Sequence, residues 1–127
     1  MTSVAFIVCG LSLVAAAGAS APKVTATVTT TSATLRLVRI VNRDHVTYRD
    51  FVVESKNAPR ILKATKPCSV VQRDGNYNGT KFNWRYRTEC KRAVRPRKAF
   101  TIAVTTSGKG PITVYVVVND DFVRINK

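Results

Sequence analysis

Between residues 81 and 98 the chain carries eight basic side chains, Lys81, Arg85, Arg87, Lys91, Arg92, Arg95, Arg97 and Lys98, against one acid, Glu89. Eight less one gives +7, half the formal +14 of the whole 127-residue chain. Charge this one-sided opposes compaction by self-repulsion, and its usual purpose is to hold a polyanion. Arginine suits bidentate contact with sulfate, phosphate or carboxylate. Residues 91–98 hold five of the cations and resemble the short basic clusters that bind heparin-like glycans or nucleic acids. They read as a loop that continues the patch, the alternative being a solvated loop kept basic for solubility.

Aromatic residues are threaded through the same window. Strict alternation places Phe82, Trp84 and Tyr86 on one strand face and Lys81, Asn83, Arg85 and Arg87 on the other, successive side chains of a face being about 7 Å apart. Either the rings fill the core, or they form an exposed row in which Trp84 and Tyr86 stack on sugars or bases. Both readings leave the cations projecting together.

Chemistry beyond binding finds little support. One histidine, His45, excludes a two-histidine ribonuclease mechanism, and Asp44-His45 comes with no Gly-x-Ser-x-Gly elbow. Asp50 with Glu54, or Asp120 with Asp121, could serve as a carboxylate pair for glycoside hydrolysis. Asn119-Asp120-Asp121 reads better as a turn. No Cys/His cluster suits zinc and no glycine-rich loop suits a phosphate, so neither a metal nor a cofactor is expected, nor an enzyme.

Residues 4–19 are almost wholly apolar and uncharged, and they run into the small residues 15–21. Ala17-Gly18-Ala19 and Ala19-Ser20-Ala21 both fit the Ala-x-Ala exit of a secretory signal, which places a signal peptide at 1–19 with cleavage after Ala19 or Ala21. No Lys or Arg precedes the apolar core; a signal anchor or a buried N-terminal helix are the alternatives. No later run is long enough to cross a bilayer as a helix. Removal of the signal takes Cys9 and no charge, leaving one domain at 22–127 with Cys68 and Cys90. In an exported chain that pair predicts one disulfide, worth about 3 kcal/mol in the chain-entropy model. Asn78-Gly79-Thr80 is the only glycosylation sequon. The predicted location is extracellular.

The elements that must carry these residues read as strands throughout. Val24, Ala26 and Val28 alternate with threonines in a strand suited to a sheet edge. Leu35, Leu37, Val38 and Ile40 alternate with one slip, the mark of a β-bulge, with Arg36 and Arg39 on either side of it. A third strand spans 46–54 with Phe51 and Val53 inward, a short one starts at Ile61-Leu62, and another covers 68–72. Asp74-Gly75 and Asn78-Gly79 bracket a loop. In a simple hairpin with Arg73 opposite Thr80, Cys68 would face Arg85, so the disulfide would tie the 68–72 strand to the chain leaving 81–87, or cross between sheets. Phe100, Ile102 and Val104 form a hairpin with 112–118 across the turn 107–111, and a last strand covers 122–125.

Seven to nine short strands with turn signals between them predict an all-β fold, a small antiparallel β-sandwich of immunoglobulin-like or fibronectin-like arrangement, with a small barrel as the alternative. The spacing of Cys68, Trp84 and Cys90 does not match a true immunoglobulin domain. The expected function is that of a secreted, non-enzymatic binding protein whose basic face engages acidic or sulfated polysaccharide. A small secreted effector that binds a host or partner protein is the alternative, and a cationic antimicrobial or nucleic-acid binder the third. Arg43, Arg49, Arg60, Lys63 and Lys66 add to the excess charge, and the fold decides which of them join the patch.

Overall fold

The computed structural model describes residues 21–55, 60–77 and 80–127, with the backbone alone for 72–77 and 80–86. The expected signal segment and Asn78 lie outside the described residues, as do the side chains of Lys81, Phe82, Trp84, Arg85 and Tyr86.

Alternating β-branched and aromatic residues yield nine strands among the described residues: β1 (Val24–Thr30), β2 (Leu35–Asn42), β3 (Tyr48–Ser55), β4 (Ile61–Ala64), β5 (Cys68–Tyr77), β6 (Thr80–Val94), β7 (Ala99–Thr106), β8 (Thr113–Val118) and β9 (Asp121–Arg124). They form two antiparallel sheets, β1-β2-β7-β4 and β9-β8-β3-β6-β5. The expected sandwich and its disulfide, Cys68–Cys90, are both present. If β1, β2, β3, β4, β7, β8 and β9 are lettered A to G, the sheets read A-B-E-D and G-F-C, the neighbour pattern of a constant-type immunoglobulin sandwich. The β5–β6 hairpin is inserted between D and E and widens the second sheet beyond C.

The core lies between the layers. Phe51, Val53, Val114 and Val116 from one sheet meet Val38, Ile40, Ile102 and Val104 from the other, all at 0–1% exposure. Phe51 and Phe100 pack edge to face with centroids 5.7 Å apart. Around that core, three sequence expectations change. First, 99–118 is no hairpin: β7 pairs with β2 and β4, whereas β8 pairs with β3 and β9 in the opposite sheet. Phe100, Ile102 and Val104 of β7 and Val114 and Val116 of β8 are buried at alternate positions, and crossing between the sheets lets those rows face each other. Second, β2 has no slip. Its pairing with β1 and β7 is continuous, and its inward row is Arg36, Val38, Ile40 and Asn42, with Leu37 turned outward. Third, Asp74-Gly75 lies within β5, not in a loop, and the register pairs Tyr77 with Thr80. With a one-residue shift between Val71 and Arg73, Cys68 comes opposite Cys90, with Cα atoms 4.1 Å apart, and the bridge closes the hairpin itself. The shift falls between the pairs Val71–Arg87 and Arg73–Trp84.

The inward row of β2 is apolar in its middle and polar at both ends. Arg36, only 2% exposed, donates to Ser32 O, Ala33 O and Thr106 Oγ1 through Nη1, and to Gly108 O and Gly110 O through Nη2. Its guanidinium thus binds the β1–β2 turn to the β7–β8 crossover, with carbonyl dipoles in place of a carboxylate. A buried cation needs such partners, because desolvation otherwise disfavours the charge strongly. At the other end Asn42 is fully buried and uses its whole amide. Nδ2 donates to Val46 O and Val94 O at 2.8 Å, and Oδ1 accepts from Asp44 N at 2.8 Å.

Arg36→Met keeps an apolar stem of similar length but strips the carbonyls of their donor. Charge-assisted bonds contribute about 1.5–3 kcal/mol each before desolvation is subtracted, so a loss of about 2–4 kcal/mol is expected in urea denaturation. Arg36→Lys keeps the charge without the fork and should recover only part. An unchanged midpoint in Arg36→Met would mean that the two loops are held by their own turns.

Candidate polyanion-binding site

The six cations of the basic run whose side chains are described separate in the fold. Arg87 and Lys91 stand on the outer face of the five-stranded sheet among acids. Arg87 Nε lies 3.5 Å from Glu89 Oε2, and Lys91 Nζ lies 2.8 Å from Asp50 Oδ2. The Arg87 guanidinium also sits 4.7 Å above the Phe122 ring, which packs edge-on against Tyr115 at 5.7 Å. The register puts Glu54, only 6% exposed, opposite Arg87 on the same face. Burial first, then the charge of Glu54, holds the Tyr115 phenol above its ordinary pKa. This face is one of mixed charge, with a small groove of about 180 Å³ between Asp50, Glu89, Lys91 and Phe122.

Arg92, Arg95, Arg97 and Lys98 go elsewhere. Lys91 and Arg92 belong to β6, which runs on to Val94, so the expected loop shrinks to the turn from Arg95 to Lys98. Lys98 N donates to Arg95 O at 3.0 Å, with Pro96 as the second residue and Arg97 as the third at φ 67°. That is the positive φ that a type II turn requires at its third position, where glycine is favoured. All four cations are exposed, and among the described residues none is in a salt bridge. Arg92 still spends one face of its guanidinium, 5.0 Å from the centroid of the Phe100 ring. Arg92, Arg95, Lys98 and Phe100 line a groove of about 230 Å³ at this end of the sandwich.

Two further cations lie at the same end. Asn42 N donates to Lys98 O at 2.9 Å, Arg97 N to Asn42 O at 2.9 Å, and Arg43 N to Lys23 O at 2.8 Å. The end of β2 thus links the β6–β7 turn to the start of β1, and brings exposed Lys23 and Arg43 beside it. Sequence reasoning counted Arg43 only as part of the general excess and passed over Lys23. The signal was available: in an antiparallel β1–β2 pair, the residue before the first strand and the residue after the second share one end.

Asp44 is the acid of this end and is internally bound. Its Oδ2 accepts from Tyr48 OH at 2.6 Å and from Lys23 N at 3.2 Å, and its Oδ1 accepts from His45 N at 2.8 Å. The Tyr48 bond first, then the two backbone amides, pull the carboxyl from 3.8 down to about 2. Burial and the same carboxylate push Tyr48 up to about 12. His45 is exposed on the turn, with its ring 3.0 Å from Asp44. Of the nominal carboxylate pairs, Asp50 is engaged by Lys91, and Asp120 sits with Asn119 in a two-residue turn, φ 67° and 51°, joining Val118 to Asp121. Two successive positive φ values are those of a type I′ hairpin turn. The described residues contain no group of three His, Cys, Asp or Glu side chains arranged to hold a metal, and no helix long and apolar enough to cross a membrane.

No protein-family model matches the chain, and no curated protein matches it in sequence. Among solved structures, a family GH18 chitinase from Chromobacterium violaceum superposes with TM-score 0.50 and 19% identity, over 84% of this chain and 19% of that one. An inactive mutant of a GH20 exo-β-N-acetylglucosaminidase from Vibrio harveyi gives TM-score 0.47 and 11% identity, over 83% and 17%. The chain therefore spans less than a fifth of the proteins it resembles, and the likeness to the chitinase is one of fold.

A carboxyl whose pKa is lowered on folding adds stability above its unfolded pKa and loses it as pH falls through the folded one. Asp44 should therefore contribute to a fall in stability from about pH 4 to about pH 2. Asp44→Asn keeps the shape without the titration. Its urea midpoint should change less over that window than the parent's; parallel curves would mean that the Tyr48 bond does not persist in solution.

Proposed function

We propose that this protein is a secreted, non-enzymatic binding protein that engages an anionic polymer through its basic run, chiefly through Arg92, Arg95, Arg97 and Lys98. The observation that carries the reading is Arg97. A non-glycine residue in the left-handed region costs about 1–2 kcal/mol of backbone strain, and glycine would relieve it. An arginine kept at the exposed tip of a turn, φ 67°, is strain held where charge is displayed. Neighbouring Arg95 and Lys98 display theirs on the same turn, so the three cations are presented together.

Secretion is supported by the Ala-x-Ala exit after the apolar start and by the Cys68–Cys90 disulfide, a bond that persists in oxidising compartments. The mixed-charge face around Arg87 and Lys91 does not add to the polyanion surface, because Glu89, Asp50 and Glu54 offset its cations.

Two variants test the proposal on immobilised heparin with a plain cation exchanger in parallel. Replacement of Arg95, Arg97 and Lys98 by Ser should remove most of the extra salt needed to elute from heparin, with the melting temperature nearly unchanged. Arg97→Gly should weaken heparin binding while leaving stability equal or higher by up to about 1 kcal/mol, since strain is released. If parent and triple variant elute alike from both columns, the charge acts in bulk and the reading fails.

A further inference from the structure

We infer that the binding site is bipartite and takes a sulfated glycan: Lys23 and Arg43, from the β1–β2 side of the sandwich, form its second half. The inference rests on the polyanion reading above and adds residues that lie outside the basic run. Strands β1, β2 and β7 are neighbours in one sheet, with about 4.8 Å between adjacent strands. Lys23, Arg43 and Lys98 flank the same ends of those strands, so they form a row across the end of the sheet. Arg92 and Arg95 belong to the strand and turn of the opposite layer, about 10 Å away. The six cations therefore span both layers.

The row is fixed by backbone, not by side-chain reach. Arg43 N bonds to Lys23 O, Arg97 N to Asn42 O and Asn42 N to Lys98 O, while the buried Asn42 amide holds Val94 O and Val46 O. A site built this way meets its ligand with the backbone already ordered, so that only side-chain ordering opposes binding. Asp44, ionised and accepting from Tyr48 OH and from the backbone amides of Lys23 and His45, offsets only one of these six charges.

The class of polyanion follows from what surrounds the cations. Single-stranded nucleic acids are held by ring faces on which bases stack. At this end Phe100 is 6% exposed with the Arg92 guanidinium over it, and the half-buried Tyr48 is tied to Asp44. Duplex DNA is read by a helix or ribbon inserted into a groove, whereas turns close this end. Four arginines and two lysines presented along a blunt edge instead match a flexible chain whose negative charge hangs on sulfate groups, each able to take a bidentate guanidinium.

The test is titration of a heparin oligosaccharide across a range of salt. Each cation that contacts the ligand should add about one to the log–log salt slope. Lys23→Ser/Arg43→Ser should lower the slope by about two, and Arg95→Ser/Arg97→Ser/Lys98→Ser by about three. Arg60→Ser/Lys63→Ser, which removes the same charge as the first pair near the other end of the sandwich, should leave it unchanged. If the triple variant responds and Lys23→Ser/Arg43→Ser does not, the bipartite site is wrong while the polyanion reading stands. If neither responds, both fall. Competition by a short DNA duplex as effective as by heparin at equal charge concentration would overturn the choice of a sulfated glycan.

Discussion

The basic end of this sandwich depends on one buried amide. Asn42 is sealed from water, so each of its polar atoms must find a partner inside the protein or cost about 1–3 kcal/mol. It finds them on the following turn, through Val46 O and Asp44 N, and at the end of β6, through Val94 O. The satisfied amide and the two backbone bonds from residue 42 to the 95–98 turn hold together segments from both sheets. The cations of those segments are therefore placed by an uncharged residue, which has no repulsion of its own to overcome.

Arg36 does the corresponding work at the opposite end with a charge. Its five bonds go to loop carbonyls and one threonine hydroxyl, not to an acid. With seven acids for twenty-one Lys and Arg residues, carboxylates are scarce, and backbone dipoles are the abundant alternative. The acids that the chain does have are used locally, as Asp44 is at the Tyr48 hydroxyl and Asp50 at Lys91. Charge is thus neutralised on the outer sheet face and left standing at the end of the sandwich.

Strand existence, the edge position of β1, and the inward faces at Phe51, Val53, Ile102 and Val104 were legible in the sequence, because each rests on period-2 alternation. The face of β2 was not. Leu35 and Leu37 compete with Val38 and Ile40 for the inside, and the outcome turns on Arg36 and Asn42 being satisfied by carbonyls far away in the chain. The β7–β8 crossover was misread because Gly108, Gly110 and Pro111 suit a hairpin turn as well as a bend between sheets. In β5–β6, Asp74-Gly75 and Asn78-Gly79 are equal as turn signals, but the cysteines discriminate between them. A hairpin with position 68 opposite 90 has its midpoint at 79, well past Asp74-Gly75, which therefore falls inside the strand. The candidate site was half legible: the basic turn showed as a charge run, while Lys23 and Arg43 belong to it only through β1–β2 pairing.

The disulfide sits near the base of the inserted hairpin, across directly opposed residues. Just beyond it Tyr86 to Glu89 still pair with Ser55 to Val52 of β3; from Arg73 and Trp84 outward the strand residues pair only with each other, as a ring of chain attached to a frame of seven other strands. Such a ring can lengthen or shorten by one residue on each strand and leave the cysteines aligned, whereas a change on one strand alone would turn the remaining side chains to the opposite face. Variation in this region should therefore come in matched pairs of residues, making the hairpin a part of the fold free to diverge in length while the frame stays constant.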